Sequence, residues 1–189
     1  MTPAPPRLPP GVVLHPLETH RDSRGGLTEL LRRDWFPALD AAQWNAVTSR
    51  AGTLRGVHLH GVHRDYLVVL TGRMLVGLSD LRPGVPREER GSVVELVGPR
   101  AGLLIPPGVA HGFYYPEPSL HVYAMDCVWN EDDDVSIHFA DPDLAIGWDV
   151  SPRYLSARDR EARPLREVAP RIEALLRSSR APSSAPATR

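Results

Sequence analysis

Three histidines lie close together in the middle of the chain, and a fourth stands in a separate motif. His58 and His60 are two positions apart in Gly-Val-His-Leu-His-Gly-Val-His, and His63 ends this segment. Alternate residues of a strand point to one face, so we expect His58 and His60 to share a face. His111 stands in Pro-Pro-Gly-Val-Ala-His-Gly-Phe, which predicts a strand end and a tight turn. Histidines that converge in this way serve as metal ligands or as a general base beside a polar neighbour.

The other charged residues restrict the chemistry that these histidines can support. All 22 basic residues are arginines, which excludes Schiff-base catalysis, pyridoxal phosphate anchoring and a Walker lysine. Basic and acidic residues nearly balance at a net charge of −1, so no basic surplus indicates a nucleic-acid partner. Cys127 is the single cysteine, which excludes an intrachain disulfide and a zinc site built from several cysteines.

The elements that must position the histidines are short strands. The length of 189 residues suits one domain, and the apolar runs are repeatedly broken by Gly, Pro and Asp. This pattern predicts an all-β sandwich or barrel and gives no sign of alternating strands and helices. Predicted strands begin at Leu27, Ala42, Thr53, Tyr66, Arg73, Ser92, Gly102 and Leu120.

The composition of the chain changes towards both ends. Residues 1–12 are rich in proline and predict an extended arm, whereas residues 13–168 form the predicted domain. Residues 169–189 predict a short helix followed by a disordered Ser/Ala/Pro-rich tail. No apolar run reaches the ~18 residues of a membrane span, and the N-terminus lacks a secretory signal. We therefore predict a cytoplasmic protein with no membrane partner.

Helical and loop signals are few. Ser156 is expected to cap a short helical turn, and Pro170 is expected to open the last helix. The acidic run 131–134 predicts a solvent-exposed loop.

The spacing of the histidines resembles the first cupin motif, with aspartate where metal-binding cupins usually carry glutamate. The matching positions are Gly52, His58, His60, Asp65 and Gly72. The second cupin motif is partly matched as well, by Pro106, Gly108 and His111. This resemblance implies a cupin-type double-stranded β-helix, or jelly roll, with short C-terminal helical segments.

A longer resemblance covers most of the chain and narrows the family. The matching blocks occur in order at 22–29, 43–45, 54–58, 106–113, 141–148 and 155–159. Together they resemble the dTDP-4-dehydrorhamnose 3,5-epimerase family. The resemblance implies inversion of C3, C5 or both in a dTDP-4-keto-6-deoxy sugar during deoxysugar biosynthesis of the dTDP-rhamnose type. It implies no cofactor and no metal.

The resemblance also implies a role for each matching residue. His58 corresponds to the catalytic base, Asp159 to its carboxylate partner and Tyr123 to the proton donor on the opposite face of the sugar. Arg24 and Glu29 correspond to residues that reach a substrate in the neighbouring subunit, which implies a homodimer. The remaining substrate-binding matches are Gln43, Asn45, Arg55, His111 and Trp129, the last of which is expected to stack on thymine.

The chain departs from the family motif where the family has a lysine beside the histidine strand, since Asp65 stands there. We expect Asp65 to turn away and a nearby histidine or arginine to face the sugar carbonyl. The alternative is a metal-binding cupin that uses His58, His60, Asp65 and His111. A third alternative is a nucleotide-sugar binding protein without turnover. Strict alternation would point Arg55 and His58 to opposite faces of the strand, although the resemblance places both in one site. We therefore expect a β-bulge at Gly56 that reconciles the two directions.

Overall fold

Antiparallel strands are the main regular element of the computed structural model, which describes residues 7–179. The beginning of the predicted arm and the predicted disordered tail from residue 180 lie outside the described residues. Described strands are β1 Val13–Pro16, β2 Thr19–Asp22, β3 Gly25–Thr28, β4 Gln43–Ser49, β5 Thr53–His60, β6 Asp65–Thr71, β7 Arg73–Asp80, β8 Gly91–Val97, β9 Ala101–Ile105, β10 Val109–Tyr115, β11 Ser119–Met125 and β12 Asp134–Ser136.

Two five-stranded antiparallel sheets face each other across the core. One has the order β1-β9-β6-β11-β4 and the other the order β12-β5-β10-β7-β8, while β2 and β3 form a separate hairpin. Apart from β7–β8 and the β2–β3 hairpin, the paired strands are not consecutive in the chain, as a jelly roll requires. This topology confirms the predicted all-β cupin-type jelly roll.

Side chains that point between the two sheets form an apolar core and, beside it, a polar cavity. Val69, Met74, Val76 and Leu103 are fully or almost fully buried in the main core cluster, and Val12 from the predicted arm joins them. Alternation along β5 and β6 sends Val57, Leu59, Tyr66 and Val68 to the outer faces. The intervening residues, among them His58, His60 and Asp65, consequently point between the sheets.

The described residues also form three α-helices, α1 Arg87–Arg90, α2 Ala157–Arg160 and α3 Leu165–Ser178, and two short 3₁₀ helices, Glu131–Asp133 and Pro142–Leu144. Ser156 caps α2 as predicted, because its Oγ accepts the Asp159 N–H at 3.0 Å. The prediction that Pro170 opens the last helix is wrong, since Pro170 lies inside α3.

Burial explains why α3 begins early and continues past its proline. Leu165, Ile172 and Leu176 pack into an apolar cluster with Val57 and Leu59 on the outer face of β5. These contacts offset the hydrogen bond that an internal proline removes.

Several sequence predictions of strands and loops need correction. The strand predicted from Leu27 ends at Thr28, because Leu30 and Phe36 instead pack as an irregular segment against the outer side of the first sheet. His111 lies within β10 and not in a turn. The acidic run is not a solvated loop, because Asp133 and Asp134 are 7% and 6% exposed.

The predicted bulge in β5 is present. His58 pairs with His111 and Arg55 with Phe113, so two residues of β5 stand opposite the single residue Gly112. Gly56 occupies the bulge with a φ of 109°, and a Cβ there would lie 2.8 Å from the Gly112 Cα. The bulge changes the alternation between Arg55 and His58, as expected from the sequence.

Candidate active site

A polar cavity opens between the two sheets at the end where β5, β6, β10 and β11 present titratable side chains. Residues of these strands supply most of its wall. Its lining residues are His58, His60, Asp65, Leu67, His111, Phe113, Tyr123, Met125, Trp129 and Asp134.

His58 and Asp159 form a hydrogen-bonded pair at this cavity. His58 Nε2 lies 2.7 Å from Asp159 Oδ1, and the Asp159 side chain is only 5% exposed. Burial raises the pKa of Asp159, but its hydrogen bond and charge interaction with His58, together with hydrogen bonds from Ser156 and the Gly56 backbone, leave the pKa below its usual value. An ionised Asp159 accepts the Nε2–H, so Nδ1 of His58 carries the lone pair that can take a proton.

Tyr123 lies on the opposite sheet, in β11, and lines the same cavity. Burial raises the pKa of its phenol, and the nearby Asp65 and Asp134 raise it further. The hydroxyl therefore keeps its proton at neutral pH and can donate it. His58 and Tyr123 thus face the cavity from two different sheets.

The rim of the cavity contains three of the predicted substrate-binding residues. Gln43 donates to Asn45 Oδ1 at 3.2 Å, and its Oε1 accepts the backbone N–H of Trp129 at 3.0 Å. The indole N–H of Trp129 donates to Asp134 at 3.3 Å, while the residue stays 46% exposed. This network leaves a half-exposed indole face beside the cavity.

Arg55 lies beside a second cleft that adjoins the His58–Asp159 pair. Its guanidinium donates to Ser49 Oγ at 3.1 Å and to the Thr48 carbonyl at 3.2 Å. Arg55 and Asp159 both line this cleft, so it meets the inner cavity at the His58–Asp159 pair. A guanidinium at this position suits an anionic group.

Arg24 and Glu29 lie apart from the residues that line the cavity. Arg24 stands at the turn of the β2–β3 hairpin, where its side chain is 88% exposed and pairs with Asp22 at 2.6 Å. Glu29 is half exposed and lies 3.6 Å from Arg32. The structure does not bring these two residues to His58 within one chain.

Asp65 points into the cavity, and the expectation that it turns away is wrong. Its Oδ2 lies 3.8 Å from His60 Nε2, 3.7 Å from His63 Nε2 and 3.6 Å from His111 Nε2. The alternative set of four metal ligands also needs correction, because His58 pairs with Asp159 and His63 takes its place near Asp65. We call His60, His63, Asp65 and His111 the Asp65 cluster.

Burial dominates the protonation of the Asp65 cluster. It raises the pKa of Asp65 to about 7 and lowers the pKa of His60 to about 3 and that of His111 to about 4. Burial also opposes the charged form of His63, but the hydrogen bond to Asp133 and the charges of Asp65, Asp133 and Asp126 together raise the His63 pKa. The four groups therefore differ in their preferred protonation states.

Two residues near the cavity were not predicted from the sequence. Asp133 accepts from His63 Nδ1 at 2.9 Å, and Asp134 contacts Arg158 at 2.6 Å. Both were assigned to a solvated loop, since three consecutive aspartates usually remain exposed. The alternation of apolar Val135 and Ile137 around Ser136 was the available sign of a strand.

Among the helices of residues 7–179, none has the length and apolar character needed to cross a membrane.

Comparison with known proteins gives this geometry a family. A family model described as dTDP-4-dehydrorhamnose 3,5-epimerase matches residues 8–167. The chain belongs to this family. The predicted resemblance is therefore confirmed, and so is the assignment of the chain to an isomerase class.

Individual members show the range of the family. A dTDP-4-dehydrorhamnose 3,5-epimerase from Streptomyces griseus is 32% identical over 168 residues, covering 84% of each chain. The structure of a Legionella pneumophila 3,5-epimerase in complex with dTDP-4-keto-L-rhamnose matches with a TM-score of 0.77 and 26% identity, covering 85% of this chain and 91% of that one. A 3'-monoepimerase from Streptomyces bikiniensis in complex with dTDP-quinovose matches with a TM-score of 0.75 and 25% identity, covering 90% and 96%. The family thus includes enzymes described as acting at two centres and at one.

Proposed function

We propose that this epimerase-family chain inverts C3, C5 or both in a dTDP-4-keto-6-deoxy sugar. The observation that carries the proposal is the His58–Asp159 pair facing Tyr123 across one cavity. The 4-keto group acidifies the C–H bonds at C3 and C5, so a base and an acid on opposite sides suffice for inversion.

The proton transfers can be assigned to named atoms. Nδ1 of His58 removes the proton from the carbon next to the keto group, and the C–H electron pair moves towards the 4-oxygen to form an enolate. Asp159 stabilises the resulting imidazolium through Nε2. Tyr123 then returns a proton to the same carbon from the opposite sheet, and the enolate collapses to the inverted ketone. Solvent restores the protonation of both side chains.

The surroundings of the pair fit a nucleotide sugar. Arg55 lines the cleft that adjoins the inner cavity and suits a phosphate oxygen, since guanidinium groups bind phosphate through paired N–H donors. Gln43 and Asn45 offer amides at the rim, where the Asn45 amide nitrogen is buried without a partner among the described residues. The half-exposed face of Trp129 is available for stacking on the thymine.

Exchange of the sugar protons with solvent tests the assignment. Incubation in D₂O with dTDP-4-keto-6-deoxyglucose should place deuterium at the inverted carbon, as followed by NMR. His58→Ala should abolish this uptake and leave dTDP binding largely intact. Tyr123→Phe should retain uptake but lose inversion, because a deuteron can then return only from the face of His58. Undiminished exchange by His58→Ala, or no exchange by the parent chain, would contradict the proposal; the latter is expected of a binding protein without turnover.

We infer further that two copies of the chain assemble a complete site. Arg24 and Glu29 stand apart from their own cavity on an exposed edge, next to Leu27, which is 63% exposed. This arrangement supports the implied homodimer in which the hairpin reaches a substrate in the neighbouring subunit. Cytoplasmic location stays a prediction from the sequence.

Subunit mixing tests this arrangement. Arg24→Ala and His58→Ala proteins, each inactive alone, should regain activity after exchange, because a mixed dimer contains one intact site. No recovery after exchange verified by mass spectrometry would argue against a shared site.

A further inference from the structure

The Asp65 cluster brings four metal-ligating groups to one point at the floor of the cavity. Three imidazole Nε2 atoms stand 3.6–3.8 Å from the single oxygen Oδ2 of Asp65. These distances exceed those of direct hydrogen bonds, which lie near 2.7–3.2 Å. All four residues are at most 8% exposed, so bulk water does not satisfy them.

Hydrogen bonds on the far side of two imidazoles fix which nitrogen faces Asp65. Nδ1 of His63 lies 2.9 Å from Asp133 Oδ2, and Nδ1 of His111 lies 3.1 Å from the Val109 carbonyl. Carbonyl and carboxylate oxygens only accept, so both Nδ1 atoms carry the hydrogen. In the neutral imidazoles, both Nε2 lone pairs therefore point towards Asp65, and Nε2 of His63 is buried without a hydrogen-bond partner among the described residues.

Asp133 is itself held in place, which completes the support of His63. Its two oxygens accept the backbone N–H groups of Gly61 at 2.8 Å and Val62 at 3.2 Å. A carboxylate that orients a histidine from behind is the usual support of a metal-binding imidazole.

The geometry points to a site for one divalent transition-metal ion, bound by His60, His63 and Asp65 with His111 as the fourth ligand. Ligand atoms of the first three lie within 4.8 Å of one another. Metal bonds of about 2.0–2.2 Å place tetrahedral ligand atoms roughly 3.4 Å apart. The three imidazole Nε2 atoms lie only a few tenths of an ångström farther than this from Asp65 Oδ2, whereas the histidines must move closer to one another around the ion. Imidazoles with one carboxylate select Zn²⁺, Fe²⁺, Co²⁺ or Ni²⁺ over Mg²⁺ and Ca²⁺.

The position of this site gives the ion a use, although this step rests on the proposed function. His60, Asp65 and His111 line the same cavity as His58 and Tyr123, and the cluster contains the residue at the lysine position of the family motif. The enolate needs positive charge near its oxygen, and no lysine exists in the chain to supply it. A bound divalent cation would supply that charge.

Metal titration of the full-length, tag-free chain tests the site without reference to activity. After treatment with a chelator, the protein should bind one equivalent of Zn²⁺ by calorimetry at pH 7.5. One equivalent of Co²⁺ should give the visible absorption of a low-coordinate nitrogen–oxygen site. Asp133→Asn, which loosens His63, should weaken Zn²⁺ binding by about 10–100-fold. His63→Gln and Asp65→Asn should weaken it further.

Two variants separate this site from the catalytic pair and from other buried histidines. His58→Ala should bind Zn²⁺ like the parent, because His58 pairs with Asp159, so the site can survive failure of the proposed function. His121→Gln removes another buried inner-face histidine and should also leave binding unchanged. The proposal is overturned if the parent binds no stoichiometric metal, or if binding persists in both His63→Gln and Asp65→Asn. The parent would bind no stoichiometric metal if the four groups of the Asp65 cluster shared a proton instead of a metal ion.

The role of the ion has its own readout. Metal-free protein should still bind dTDP but lose deuterium exchange, which Zn²⁺ or Co²⁺ should restore. Full exchange by protein shown to be metal-free would overturn the role in catalysis.

Discussion

The hydrogen bond between His58 and Asp159 determines which nitrogen of His58 is free to act. Asp159 is buried, capped through its backbone by Ser156 and held ionised by its contact with His58. It accepts the Nε2–H and leaves Nδ1 as the ring nitrogen that can accept a proton, which is the role we propose for it. A neutral acceptor in its place could hold the ring but would stabilise the imidazolium much less.

Asp159→Asn should therefore slow turnover by at least about 100-fold with little change in KM, since general-base catalysis is worth roughly 10²–10⁴-fold. Asp159 acts through His58, so the split between kcat and KM is the informative measurement. Asp143→Asn, at an exposed position, is the control and should keep parental kinetics. An increase in KM of about 100-fold with no change in kcat would instead indicate that Asp159 acts in substrate binding.

The histidines and the family motif predicted the catalytic pair, because both residues lie in short segments with distinctive neighbours. The same reasoning named His60, Asp65 and His111 as part of an alternative metal set but did not include His63. The contacts of His63 depend on Asp133, 70 residues beyond it, and on burial that a run of aspartates does not suggest. The family motif thus implied the pair, and the cupin motif named three of the four members of the Asp65 cluster.

Among the strands, β5 has the bulge that positions both sides of the site. It brings His58 opposite His111 while Arg55 stays paired with Phe113. Gly56 is required there for two reasons: its φ is positive, and its Cα faces the Gly112 backbone so closely that a side chain has no room.

Gly56→Ala should consequently destabilise the chain by clearly more than the roughly 1–2 kcal/mol of left-handed strain alone. Gly84→Ala is the matched control, because Gly84 also has a positive φ but no described atom lies within 4 Å of the point that its Cβ would occupy. Urea unfolding of both variants measures the difference. Equal losses would show that the close approach of β5 and β10 carries no cost.

Strands with alternating or fully apolar sequence, such as β5, β6, β7 and β8, were placed from the sequence to within about a residue or two. The start of α3 was misplaced because proline is common at helix starts, whereas here buried leucine and isoleucine on both sides of Pro170 extend the helix. Short β12 carries too few residues for a periodic signal, and its pairing with β5 depends on tertiary contact.

At the scale of the whole molecule, the buried histidines make the free energy of unfolding depend on pH. Burial and the charge of Arg55 lower the pKa of His121 to about 4, and burial also lowers those of His60 and His111. Between pH 6.5 and 4 the unfolded chain binds protons that the folded chain does not, so stability falls as pH decreases. Asp65 acts in the opposite sense, because its raised pKa makes the folded chain bind the extra proton between about pH 4 and 7.

The unfolding free energy should therefore decrease from pH 6.5 to 4.5, with the three histidines outweighing Asp65. His121→Gln should reduce this slope by about 1.4 kcal/mol per pH unit, the value of one proton. Urea unfolding at several pH values in the presence of a chelator provides the measurement. His20→Gln, at an exposed position, is the control, and an unchanged slope in His121→Gln would contradict burial as the cause.

The carboxylate of Asp133, directly before β12, binds the turn that follows β5 and also binds His63, which limits how these positions can vary within the family. Its oxygens hold Gly61, Val62 and His63 together, and a side chain at Gly61 would collide with Leu175 of α3. Asp133, His63 and the small residue at position 61 should accordingly be inherited as a group. Relatives with lysine at the Asp65 position should lack that group, and substituting its members singly should be tolerated less well than exchanging them together.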